Sequence, residues 1–375
     1  MCGEAVSSPS FTGPLKKRKR QSMSHRFNKP FTALAAGLMA GLLLLTGCTG
    51  SGGNNENGTK SPSPSPTIRG GVLEAAQAGA DWLKGQLQED SYLEGKVGES
   101  LRKDVGLTID ALFAFAAAED WDTAKPVAAW VSQQGALDDY ASDQPGITYP
   151  GAIAKAGLAL SLREVDYPAE NADQRAMLAD RLIARLQEDG RFTDDSDYAD
   201  SSNPITQALA VLFLESQDQL GDLPADPVAY LVEAACEDGS FPDSFDSPAG
   251  CNGSVDATAY VIQALVYFPE MEAVLTAAGD WLISQQNDQS QWEGWDGPSV
   301  NSTAVAVLAL GDLQGNGPAL LAASDGWTAL ALWQLENGGW PTDILGQGAD
   351  ARATAQAVQG TAQTSLGDLV GLKDQ

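Results

Sequence analysis

LVEAACEDGSFPDSFDSPAGCNGSVDATAYVIQALVYF, residues Leu231 to Phe268, decides the fold. It reads as a helix, a glycine-aromatic loop and a second helix. The first helix ends toward Glu237-Asp238-Gly239, where glycine can enter the left-handed region without a Cβ penalty. The second follows Asp256, whose carboxylate can accept from the orphan amides of a first turn. The unit recurs: LIARLQEDGRF begins at Leu182, WLISQQ at Trp281 and LALWQLENGGW at Leu330, and Trp82 and Trp130 open two further copies. That gives six units of about fifty residues.

The helix pairs expected are Val72 to Gln88 with Asp104 to Ala118, Thr123 to Gln134 with Gly151 to Leu162, and Asn171 to Gln187 with Pro204 to Ser216. They continue as Pro227 to Cys236 with Asp256 to Phe268, Met271 to Gln286 with Asn301 to Leu310, and Pro318 to Leu335 with Ala351 to Thr364. First helices carry apolar residues on one face only; second helices are apolar almost all round, with a threonine near their starts at Thr108, Thr206, Thr258, Thr303 and Thr354, and Ala154 in the second unit. The difference predicts an all-α ring of six pairs, an (α/α)6 toroid with buried helices inside and amphipathic helices outside. An open solenoid is the alternative, but its end units would need polar faces. Units one and six look like the others, which favours closure. No alternating strand pattern of useful length is seen.

Outside this array, residues 1–47 read as a lipoprotein signal: a basic stretch Lys16 to Arg20, an apolar run Phe31 to Leu45, then Leu45-Thr46-Gly47-Cys48, with Cys48 the lipidation site. A single membrane anchor is the alternative, although the run is short of the ~20 residues a span requires. Met23 is a second candidate start for the signal. Residues 48–71, with Ser-Pro repeats from Ser61 to Pro66, form a tether, leaving 72–375 as one toroid domain. The expected address is the extracytoplasmic face of a cell membrane, held there by the lipid.

The net charge is −28; seven of the 22 Lys and Arg and one of the 50 Asp and Glu lie in residues 1–47, so the remainder carries 15 against 49, a net −34. Nucleic acid is excluded as a partner, since binding it rests on clustered basic residues. Cys236 and Cys251 are expected to pair as a disulfide, a thiolate metal pair being the alternative. The sole histidine, His25, falls in the signal. Asp194, Asp195, Asp197 and Asp200 are oxygen-rich enough to be calcium candidates, but their spacing matches no EF-hand, and a solvated loop is the plainer reading.

Trp333 to Pro341, WQLENGGWP, resembles the Gln-and-Trp repeat of squalene and terpene cyclases; Trp281 to Trp295 is a looser copy. The resemblance covers about residues 72–366 and implies the toroid shared by these cyclases, protein prenyltransferase β subunits, thioester domains and transcobalamin-like carriers. It implies chemistry that this chain does not match residue for residue. The prenyltransferases' zinc-binding histidine, the cyclases' Asp-x-Asp-Asp run and the Gly-Cys-Gly-Glu-Gln thioester are missing, and Asp256 stands alone where two acids would be needed. A carrier needs none of these. The expectation is therefore a binder of a small apolar, corrinoid-like or isoprenoid ligand, handed to a membrane transporter, with no cofactor of its own. Phe192, Phe241, Trp295, Trp340 and Asp343 are the candidate ligand contacts, although stapling of neighbouring units is the plainer role for the aromatics. An enzyme using Asp256 with Asp104 or Asp350 on a terpene or a glycan, and a structural or protein-binding surface module, are the alternatives.

Overall fold

A computed structural model describes residues 71–374 except 98–99, 142–146, 247–249, 343–345 and 347. The inner helices are α2 (Val105–Ala117), α5 (Pro150–Ala159), α7 (Pro204–Ser216), α9 (Val255–Leu265), α11 (Val300–Asp312) and α13 (Ala351–Ala362). Each packs on the next, and α13 packs on α2, so the ring closes. Helix α2 shows why these sequences go inside: every residue from Gly106 to Ala117 is buried. With neighbours on all sides, such a helix has no face left for water.

The outer helices are α1 (Val72–Lys84), α3 (Trp121–Val131), α6 (Ala169–Ile183), α8 (Pro227–Glu233), α10 (Glu272–Ser284) and α12 (Gly317–Trp333). Each is buried along one stripe, as with Ala75, Ala76, Gly79, Ala80 and Leu83 of α1. Their main partners differ from the pairs read in the sequence. An outer helix packs chiefly on the inner helix preceding it, α3 on α2 and α12 on α11, and α1 packs chiefly on α13. The first helix of the domain thus completes the last pair. Gln334 fastens this seam, its side-chain amide donating to Ala75 O at 2.8 Å and Gly338 O at 2.7 Å.

The glycine-aromatic loops repeat one device. In four units the aromatic or leucine backbone N–H donates to a threonine hydroxyl four residues past the inner helix N-cap: Leu93 to Thr108, Phe241 to Thr258, Trp292 to Thr303 and Trp340 to Thr354, at 2.9–3.0 Å. In the third unit Phe192 donates instead to Gln207 Oε1, so Gln207 and not Thr206 is the equivalent residue. Gly239 does take a left-handed φ of +88°, but in a turn beyond α8, which ends at Glu233. In the matching turn of unit six a Cβ on Gly338 would lie 2.6 Å from Ala78 O, so the glycine lets the last loop touch the first helix.

Elements not anticipated are α4 (Gln134–Ala141), two short antiparallel hairpins, β1 (Glu94–Val97) with β2 (Ser100–Lys103) and β3 (Glu293–Gly294) with β4 (Gly297–Pro298), and a C-terminal turn, α14 (Leu366–Leu369). Helix α14 touches both α2 and α9, which stand opposite each other in the ring. Its Leu366 and Leu369, with Val370 and Leu372, are buried. It lies where the inner helices end, since Arg163, just past α5, donates its N–H to Leu369 O, and Lys373 pairs with Asp312 of α11 at 2.8 Å. One mouth of the toroid is therefore plugged, and at the other, ringed by six helix N-termini, the described residues leave an opening. Among the described residues no helix is long and apolar enough to cross a membrane.

Candidate functional site

Within the ring lies a cavity of about 280 Å³ to which all six inner helices contribute, with Leu366 of the plug at its floor. Helices α7 and α11 line it with Ile205, Leu209, Val305 and Leu308. The polar groups stand on facing walls. On one wall Asp110 of α2 holds a cation from each neighbouring helix, Lys155 Nζ at 2.5 Å and Arg352 Nη1 at 2.6 Å. Lys155 also donates to Gly106 O at 3.1 Å. On the other wall are Asp256, Tyr260 and Gln263 of α9.

Burial acts to lower the Lys155 pKa, but the Asp110 carboxylate outweighs it, and the pKa is raised. Lysine stays charged at any physiological pH. Asp256 moves the other way: burial raises its pKa, and the Ser302 hydroxyl only partly offsets this. Its Oδ1 is buried without a hydrogen-bond partner. Burial and the nearby Asp110 and Asp256 charges raise the Tyr260 pKa as well, keeping the phenol protonated. The site thus holds an ion cluster facing a buried carboxyl of raised pKa and a protonated phenol. A larger groove, about 940 Å³, lies at the plugged end beside Tyr267, Glu272 and Asp312, with Lys373 already seated in it.

Several expected site residues lie elsewhere. Phe192, Phe241 and Trp340 are fully buried in the core, outside the cavity lining. The Trp340 indole donates to Leu330 O at 2.7 Å, the contact of a staple. Trp295 is 94% exposed at the tip of the β3–β4 hairpin. The residue equivalent to Trp340 is Trp292, whose indole donates to Leu282 O at 2.7 Å. Asp343 and Cys48 lie outside the described residues. Asp256 is in the cavity but is not the cap of α9; Ser254 is, accepting from Ala257 N. Asp104 and Asp350, considered as its partners, are themselves the N-caps of α2 and α13.

Three of the four calcium candidates are directed to other partners. Asp194 accepts from Ser201, Asp200 pairs with Arg191 at 2.9 Å and Asp195 with Arg185 at 2.5 Å. Among the described residues no three His, Cys, Asp or Glu side chains are placed to hold a metal. Cys236 and Cys251 have Cα atoms 5.5 Å apart, a separation that suits a disulfide. Asp110, Lys155 and Arg352 were not singled out in the sequence. Their signal is a charge inside a helix otherwise apolar all round: Asp110 in VGLTIDALFAFAA and Lys155 in PGAIAKAGLA.

No protein-family model and no curated protein matches the chain. Solved structures do share its fold. A protein from Actinoplanes is 14% identical, with a TM-score of 0.57 over 78% of this chain and 99% of that one. The type II terpene cyclase MstE from Scytonema, apo, gives 12% identity and a TM-score of 0.58 over 79% and 98%; a variant of that enzyme has been solved with the substrate geranylgeranyl dihydroxybenzoate. A UGL variant with dGlcA-Glc-Rha-Glc gives 12% identity and 0.54 over 77% and 95%. The chain thus shares an all-α toroid with these proteins. Likeness at this identity defines architecture and not activity.

Proposed function

We propose that the protein is a small-molecule binder, tethered through a lipid on Cys48, whose ligand enters the open mouth and sits in the central cavity. The observation carrying this reading is the cluster of Asp110, Lys155 and Arg352 at the cavity wall, with Asp110 and Lys155 largely out of water. Taking the Asp110 and Lys155 charges out of water is costly, and apolar residues of similar volume often do as well for stability, so such a cluster argues for a role beyond the fold. The volume suits a compact ligand, at the low end of the range for small-molecule pockets. An isoprenoid or corrinoid would enter only in part, and delivery to a membrane transporter remains part of the proposal. Native mass spectrometry of the chain purified from its own cell envelope tests the reading. A retained small molecule, lost when Leu308→Trp fills the cavity, is expected; an empty protein unaffected in melting temperature by any small-molecule panel would overturn it. For the tether, fatty-acid labelling that disappears in Cys48→Ser is expected.

A second reading, an enzyme of the cyclase-like or glycan-directed kind, is favoured by one observation: Asp256 lines the cavity with a raised pKa and one buried oxygen without a hydrogen-bond partner. Such a carboxyl can donate a proton. Because Ser254 caps the helix, Asp256→Asn should abolish any such activity while leaving the melting temperature nearly unchanged.

A further inference from the structure

At one wall of the cavity the cations outnumber the carboxylate they share. Lys155 and Arg352 share one carboxylate, Asp110, and leave one positive charge in excess at that wall. Asp104 approaches Arg352 only to 3.9 Å, stands partly in solvent at the mouth, and directs its other oxygen to its own helix as a cap. Arg352 donates one hydrogen bond to Asp110; a guanidinium has five N–H donors in a planar fork, and this side chain is half exposed toward the opening. The six inner helices all point their N-termini at this mouth, adding partial positive charge. On the facing wall the Tyr260 phenol stays protonated beside Asp256, whose pKa burial raises. The flanks between these walls, Ile205, Leu209, Val305 and Leu308, are apolar. The Arg352 wall thus offers free N–H donors and positive charge beside an apolar surface, inside a chain whose net charge is −28.

We infer that the ligand is a small organic acid bearing one carboxylate, gripped by Arg352 and Lys155, with its apolar body between α7 and α11. This rests on the central cavity being the binding site. One excess charge matches a monoanion, whereas a phosphate dianion would leave negative charge unpaired in a confined site. The planar carboxylate suits the guanidinium fork. The cavity would hold roughly nine waters at ~30 Å³ each, which limits the acid to on the order of ten heavy atoms.

Isothermal titration of the full chain with hexanoate, benzoate and phenylacetate, each beside its amide, tests this. At least one acid should bind ten-fold or more tighter than its amide, and Arg352→Gln should remove that preference while leaving the amide affinity unchanged. Asp110→Asn, which raises the excess to two charges, should tighten acid binding even as it lowers the melting temperature by leaving Lys155 unpaired. That opposite movement separates a recognition role from a structural one. Amides binding as well as acids, or Arg352→Gln leaving acid affinity intact, would overturn the inference and leave the cavity reading standing. If an acid binds but Leu308→Trp titrates identically to the parent, the site is not the cavity and both readings fall; if no probe binds, the inference falls alone and the cavity reading is left to the mass-spectrometry test.

Discussion

At the scale of single residues, the repeat is fixed by a threonine hydroxyl meeting a buried backbone N–H. Replacing Thr354 with valine keeps the shape and removes the acceptor for Trp340 N, so about 1–3 kcal/mol should be lost in chemical denaturation. Thr206→Val should cost much less, because Gln207 fills that role in its unit. The threonines were legible because they recur, yet the register slipped by one at Thr206 and by three at Trp295, where sequence spacing absorbed local insertions. The ion cluster was not legible. Asp110 and Arg352 are separated by 242 residues, and only closure of the ring brings them to 2.6 Å.

Among the elements, the C-terminal plug is the piece that converts a ring into a cup. Its Lys373 is held between Asp312 and Asp368 at 2.8 and 2.6 Å. Burial pushes the Asp312 carboxyl up to about 6, with Lys373 opposing the shift. A carboxyl raised in the folded state stabilises most below its unfolded pKa, near 4, and that contribution is lost as pH rises through 6. Thermal stability should therefore fall by on the order of 2 kcal/mol between pH 4 and 7, and Asp312→Asn should flatten that dependence. Ending the chain at Thr364 should expose the apolar floor, lower the melting temperature and increase binding of a hydrophobic dye. Neither this plug nor α4 has a counterpart in the repeat, so periodicity could not announce them. The inner and outer helices were legible because burial on all sides and burial along one stripe leave different patterns in sequence.

For the whole molecule, the decisive fact is that α1 packs on α13 and Gln334 reaches back to Ala75. An open array loses roughly one repeat's contribution when an end unit is removed. A closed ring should not behave so additively. Deleting residues 72–84 uncovers Trp340 and Val358, against which Gly79 packs, and should abolish cooperative unfolding and enlarge the radius of gyration in solution scattering. Gly338→Ala places a Cβ against Ala78 O in a left-handed turn and should weaken the same seam. The seam also sets a timetable. Because the contacts of Ala75 wait for Gln334, 259 positions later, a chain delivered N-terminus first cannot finish folding until nearly all of it has emerged. Its earliest segment must stay unpartnered throughout delivery, exposing the Ala-rich stripe of α1 to whatever chaperone or membrane surface attends the nascent chain.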